Sequence, residues 1–237
     1  MGRIFEKRKY RMFARWAKTA KAFTKIGKEI AVAVKLGGPH PEGNPRLRMA
    51  IQTARSLNMP KDRVESAIKR AVSKEGAALE EIVYEGYAKY GVAVVVEAAT
   101  DNPTRTVAVV RGIFSHHGGQ MATTGALDYL FQRRGVFTID PPSGDLDQFE
   151  LDLIDIGLED IFETDEGLLL YTSFEHYGAM QRALEERHVE VKGASVQRIP
   201  LSTVELNPEQ QAEVEALINA LEEDDDVQNV FHNVKAE

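Results

Sequence analysis

The sequence predicts an α+β protein of three domains: an N-terminal basic three-helix domain and two ferredoxin-like α+β domains, one inserted in the other. Three observations carry that expectation. Apolar residues recur at helical spacing up to about residue 75 and at strand spacing after Gly76. Residues 135–200 read β-α-β-β-α-β, the ferredoxin-like order. Charge is split along the chain: residues 1–75 hold 19 Lys and Arg against 6 Asp and Glu, whereas residues 143–237 hold 5 against 24. The overall charge of −8 therefore hides a strongly basic first third.

Residues 1–17 are basic with interleaved aromatics, Phe5, Tyr10, Phe13 and Trp16, and read as a partly helical arm. Residues 18–75 read as three helices. Phe23, Ile26, Ile30, Ala33 and Val34 share one face of the first, and Gly37-Gly38-Pro39 ends it. Asn44 caps the second helix and Pro45 takes its first position, with Leu47, Ala50, Ile51, Ala54 and Leu57 as the apolar stripe. Pro60 opens the third, with Val64, Ala67, Ile68 and Ala71. Three short amphipathic helices can close around one small core.

After a hinge at 76–80, Ile82–Tyr87 and Val92–Ala99 read as strands, followed by a helix from Pro103 closed by Gly118-Gly119. Leu127–Phe131 and Gly135–Ile139 read as strands and Leu146–Ile156 as a helix. Asp160–Thr164 and Leu168–Thr172 form a hairpin around Asp165-Glu166-Gly167, Phe174–Arg187 is a helix and Ala194–Ile199 a strand. Thr203–Leu206 reads as a strand, a helix capped by Asn207 follows, and Val227–His232 is a last strand. The terminal α-β unit lacks partners of its own. The domains expected are thus 18–75, a discontinuous one of 80–130 with 203–237, and an inserted one of 131–202.

Composition excludes several chemistries. The absence of cysteine removes disulfides, thiolate metal sites and cysteine nucleophiles. No apolar run approaches the roughly 20 residues that span a bilayer. The basic N-terminus lacks the apolar stretch of a secretory signal, so a cytoplasmic location is expected; a basic amphipathic start is also compatible with a mitochondrial address. Adjacent His116 and His117 point about 100° apart on a helix, which suits the helix dipole better than a metal. Asp224-Asp225-Asp226 lacks the pattern of a calcium loop. No nucleophile–base set, phosphate loop or metalloprotease signature occurs. A non-enzyme without metal, cofactor or small-molecule substrate is expected.

The candidate site is cationic. Lys18, Lys21, Lys25 and Lys28 recur at three and four residues, nearly opposite the apolar face of their helix. With Arg46, Arg48 and Lys61 they form the expected phosphate-binding surface, because neutralised phosphates release counterions. In the arm, Arg8, Lys9, Arg11 and Arg15, with Lys7, lie among aromatics that either stack on bases or dock on the helical domain. No groove-reading signature is present, so shape and phosphate recognition is expected, with DNA or ribosomal RNA as partner and no membrane. A pure protein-interaction module, its acidic part holding a basic partner, is the competing class.

Several short stretches together resemble the YebC family, described as probable transcriptional regulatory proteins, which also includes the mitochondrial translational activator of cytochrome oxidase. They are Phe23-Thr24-Lys25 with Lys28-Glu29-Ile30, Asn44-Pro45-Arg46-Leu47-Arg48, Asn58-Met59-Pro60-Lys61-Asp62, Tyr84-Glu85-Gly86-Tyr87, Thr100-Asp101-Asn102, Arg105-Thr106, Gly118-Gly119 and Val227-Gln228-Asn229-Val230. The resemblance implies three domains and a non-enzymatic role in gene expression. That role is either DNA-binding transcriptional regulation or ribosome association that helps elongation through proline-rich stretches. Two departures stand out. The chain begins Met1-Gly2-Arg3-Ile4-Phe5 and carries its Trp at 16, and Ala88-Lys89-Tyr90 follows the Tyr-Glu-Gly-Tyr motif where the family has Gly-Pro-Gly.

Overall fold

The computed structural model describes the backbone of residues 2–73, 79–142, 144–164 and 167–235, with side chains from Ala20 onward. Helices α1 (Gly2–Gly37), α2 (Pro45–Ser56) and α3 (Lys61–Val72) come first. Strands β1 (Glu80–Tyr87) and β2 (Ala93–Thr100), helix α4 (Pro103–His116) and the short strand β3 (Gln120–Met121) follow. Next are β4 (Phe131–Ile139), α5 (Leu146–Ile154), β5 (Leu158–Thr164), β6 (Gly167–Ser173), α6 (Tyr177–Glu186) and β7 (Val191–Pro200). Helix α7 (Pro208–Glu222) and strand β8 (Val227–His232) complete the series. The fold is α+β, with two four-stranded sheets ordered β3-β1-β2-β8 and β5-β6-β4-β7. Two compact units partition it: residues 1–82 with 98–103 and 222–228, and residues 83–97 with 104–221 and 229–237.

In the first unit, α1 contributes Ile26, Ile30, Ala33 and Val34 to a core shared with Leu47, Ala50 and Ala54 of α2 and Val64 and Ala67 of α3. Burying each of the larger apolar side chains stabilises the unit by roughly 1.5–3 kcal/mol. The segment read as an arm continues the helix: α1 runs unbroken from Gly2. No Pro or Gly pair interrupts residues 3–26, so local propensity offers no reason to stop. The helix ends where the Gly37-Gly38 pair requires it. A Cβ on Gly37 would come within 2.7 Å of the Asn44 side chain, and Gly38 takes φ +83. Asn44 then joins two helices. Its Oδ1 accepts from Leu47 N at 3.0 Å, capping α2, while its Nδ2 donates to the carbonyls of Ala33 (2.7 Å) and Gly38 (2.8 Å).

In the second unit, β4 pairs antiparallel with β6 and β7, and β6 with β5. Phe137, Ile139, Leu168 and Leu170 of the sheet pack with Leu153 of α5 and Met180 and Leu184 of α6. A Cβ on Gly135 would lie 2.4 Å from the Tyr177 ring, so glycine there lets α6 approach β4. The Tyr84-Glu85-Gly86-Tyr87 motif has a structural basis too. The buried Glu85 carboxylate accepts from the backbone N–H of Gly125 (2.9 Å) and Leu127 (2.6 Å), while Gly86 leaves room for the Phe114 ring.

Two expected strands are not strands. Leu127–Leu130 is a turn tied to Glu85, and regular pairing starts at Phe131. Its apolar residues read as a strand because Leu127 is buried, yet that burial comes from a turn. At Thr203–Leu206 only Val204 pairs, in an isolated parallel bridge to Val234. Helix α6 starts at Tyr177, three residues later than expected. The hinge at 76–80 and the Asp165-Glu166 turn fall largely outside the described residues.

Candidate nucleic-acid interface

Three lysines of the α1 stripe, Lys21, Lys25 and Lys28, are already occupied. Lys21 Nζ donates to the Glu223 carbonyl (3.2 Å) and Lys25 Nζ to the Glu222 carbonyl (3.0 Å). Lys28 Nζ donates to the carbonyls of Asp225 (2.8 Å) and Ala99 (3.1 Å) and to Asp226 Oδ1 (2.6 Å). The last carbonyls of a helix lack N–H partners and carry partial negative charge. Ammonium groups therefore complement the end of α7 and the turn after it. Asp226 Oδ2 accepts from Thr100 Oγ1 at 3.2 Å, and the Ala99 N–H donates to the Asp226 carbonyl at 2.8 Å. The side chains of the Lys28–Asp226 pair are only 18% and 12% exposed, which leaves a phosphate no access to the charge. Burial holds the Lys25 ammonium below its ordinary pKa, and neighbouring Lys21 adds to that, against the opposing pull of Glu222, Asp224 and Asp225.

Arg46 and Arg48 also have internal roles. The Arg46 guanidinium bridges Glu29 (2.7 Å) and Glu81 (2.5 Å). Burial works against its charge, but the hydrogen bonds with Glu81 and Glu29 outweigh it and raise its pKa. Arg48 donates to the carbonyls of Pro41 and Glu42, both at 2.9 Å. Arg8, Lys9, Arg11, Arg15 and Lys18 lie along α1, and their side chains are outside the described residues.

Lys61 differs: it is 90% exposed, with Glu65 at 3.8 Å as a weak helical neighbour. Arg55 of α2 and Arg63, Lys69 and Arg70 of α3 are exposed as well. Arg63, Lys69 and Arg70 have no carboxylate partner among the described residues. Arg63 and Arg70, two turns apart, line a groove of about 750 Å³ between α1 and α3, together with Phe23, Met59, Ser66 and Ser73. These cations lie outside the expected surface, and Asp62 and Glu65 interrupt their run in the sequence. Their signal is position: at about 100° per residue Arg63 and Arg70 flank the stripe on the side of Ala67 and Ala71, which line the same groove. His116 and His117 meet edge to face at the end of α4, with ring centroids 5.3 Å apart. Among the described residues, no helix is long and apolar enough to cross a membrane.

Residues 3–74 match the TACO1/YebC protein N-terminal domain, and residues 79–234 match the TACO1/YebC second and third domain. The chain belongs to the TACO1/YebC family. It is 54% identical to a probable transcriptional regulatory protein of Anaeromyxobacter dehalogenans, over 99% of this chain and 100% of the relative. It is 50% identical to one of Porphyromonas gingivalis, over 100% and 98%. The crystal structure of a conserved hypothetical protein from Aquifex aeolicus superposes with a TM-score of 0.79 at 41% identity, covering 91% of this chain and 90% of that one.

Proposed function

We propose that the protein is a non-enzymatic, nucleic-acid-binding regulator of gene expression that grips phosphates through the exposed cations of α2 and α3. One observation carries this reading: Arg55, Lys61, Arg63, Lys69 and Arg70 are exposed on a unit rich in positive charge, whereas Lys21, Lys25 and Lys28 of α1 are held by the protein itself. Exposed cations contact phosphate with little desolvation cost, and counterion release supplies the affinity. The sequence carries no groove-reading signature, which supports recognition by backbone and shape. The names of the relatives, probable transcriptional regulatory proteins, support a regulatory role. In this reading the chain has three domains: the basic helices, a discontinuous α+β domain around β3-β1-β2-β8, and an inserted ferredoxin-like domain around β5-β6-β4-β7.

Co-sedimentation of the full chain with ribosomes through a sucrose cushion, with an equal mass of duplex DNA as competitor, tests the reading. Retention by DNA supports transcriptional regulation. Pelleting with ribosomes despite the DNA supports the alternative, a ribosomal-RNA-associated translation factor that assists elongation through proline-rich stretches. Binding to neither overturns the reading.

A further inference from the structure

Helix α5 has two apolar faces, and only one is used. Phe149 and Leu153 point into the core of the second unit. At about 100° per residue, Asp147, Leu151 and Ile154 lie on the opposite side of the helix. Leu151 is 58% exposed and Ile154 50%, three residues apart and hence neighbours. An amphipathic helix at a protein surface normally keeps its outer face polar.

The sequence stretch that carries this helix is one-sided in charge. From residue 135 to 181 the sequence has 12 Asp and Glu and no Lys or Arg. Five of these acids have local tasks: Asp145 caps α5 through the Asp147 N–H, Asp152 accepts from Gln148, Glu159 and Asp160 pair with Arg134, and Asp140 pairs with Lys192. That leaves Asp147 and Asp155 without a cationic partner among the described residues. Asp155 is placed against local preference. It sits at the C-cap of α5, where the helix dipole already concentrates negative charge, and no basic residue occupies the last turn. A cation from outside would relieve that end of the helix.

We propose that the Leu151–Ile154 face of α5 docks a Lys/Arg-rich amphipathic segment of a partner protein. The partner's apolar side chains cover Leu151 and Ile154, and its cations meet Asp147 and Asp155. Complementary charge favours this occupant, and the same acids repel nucleic acid. The inference is independent of the α2–α3 interface, because it concerns the other unit and the opposite charge.

The test is calorimetric titration of the full chain with a 14-residue amphipathic Lys/Leu peptide. A peptide with the same lysines and serine in place of leucine is the control. One-to-one binding of the Lys/Leu peptide is expected, weakened at least about tenfold by Leu151→Ser with Ile154→Ser, and again by Asp147→Asn with Asp155→Asn. The control peptide should bind about tenfold more weakly to the unaltered chain. Circular dichroism should show both variants folded, since all four side chains are exposed. Equal binding by the unaltered chain and both variants overturns the proposal. So does self-association of the peptide-free chain that Leu151→Ser with Ile154→Ser abolishes, because it gives the face to a second copy.

Discussion

The helical unit carries two cationic surfaces with opposite fates. On α1, Lys21, Lys25 and Lys28 point at carbonyls and carboxylate of residues 222–226, and each ammonium has a partner. On α3, Arg63, Lys69 and Arg70 are exposed and Lys61 has a neighbour only at 3.8 Å. The more regular charge pattern in the sequence is therefore the structural one, and the broken pattern is the open one. A lysine repeat records that something negative lies along a helix. It does not say whether that partner is a nucleic acid or the end of another helix in the same chain.

The sharpest way to break this comparison is to remove one member of the shielded pair. Lys28→Met leaves the Asp226 carboxylate without its ammonium and should cost about 2–4 kcal/mol, below the full range for buried pairs because some water reaches the site. Chemical denaturation of the variant checks this, and an unchanged midpoint would make Lys28 a spare surface charge. Asn44→Ala should cost about 1–3 kcal/mol, since it removes a helix cap and strands the carbonyls of Ala33 and Gly38.

On the open surface the order reverses. Arg63→Gln with Arg70→Gln should change stability by no more than about 0.5 kcal/mol. The same pair should weaken nucleic-acid binding and reduce the salt slope by nearly two for duplex DNA.

The smallest effect concerns pH. The folded pKa of Lys25 lies below its unfolded value, so the unfolded chain binds more protons between the two. Lys25 should therefore make stability rise as pH climbs through that window towards 10.5, and the rise should vanish in Lys25→Gln. Nitrogen-detected titration should also find Lys25 deprotonating below the ordinary lysine value.

Much of the fold was legible because it rests on local chemistry. Asn44-Pro45 marked the start of α2, Gly37-Gly38 the end of α1, and the nearly continuous apolar run of β2 a buried strand. Leu127 and Val204 misled because an apolar residue can be buried by a turn or a single bridge as readily as by a ladder. The candidate site was less legible. Arg46 looks like a phosphate ligand until Glu29 and Glu81, 17 and 35 residues away, close on it. Lys28 meets Asp226 across 198 residues. Such pairings depend on tertiary structure, and no spacing rule along the chain encodes them.

The central claim is that α3, and not the α1 stripe, carries the phosphate contacts. It is tested most directly by the salt dependence of binding to one labelled duplex, measured for the unaltered chain, Arg63→Gln with Arg70→Gln, and Lys21→Gln with Lys25→Gln. The account predicts a slope nearly two units shallower for the α3 pair and an unchanged slope for the α1 pair. A shallower slope for the α1 pair, with none lost at α3, would contradict it.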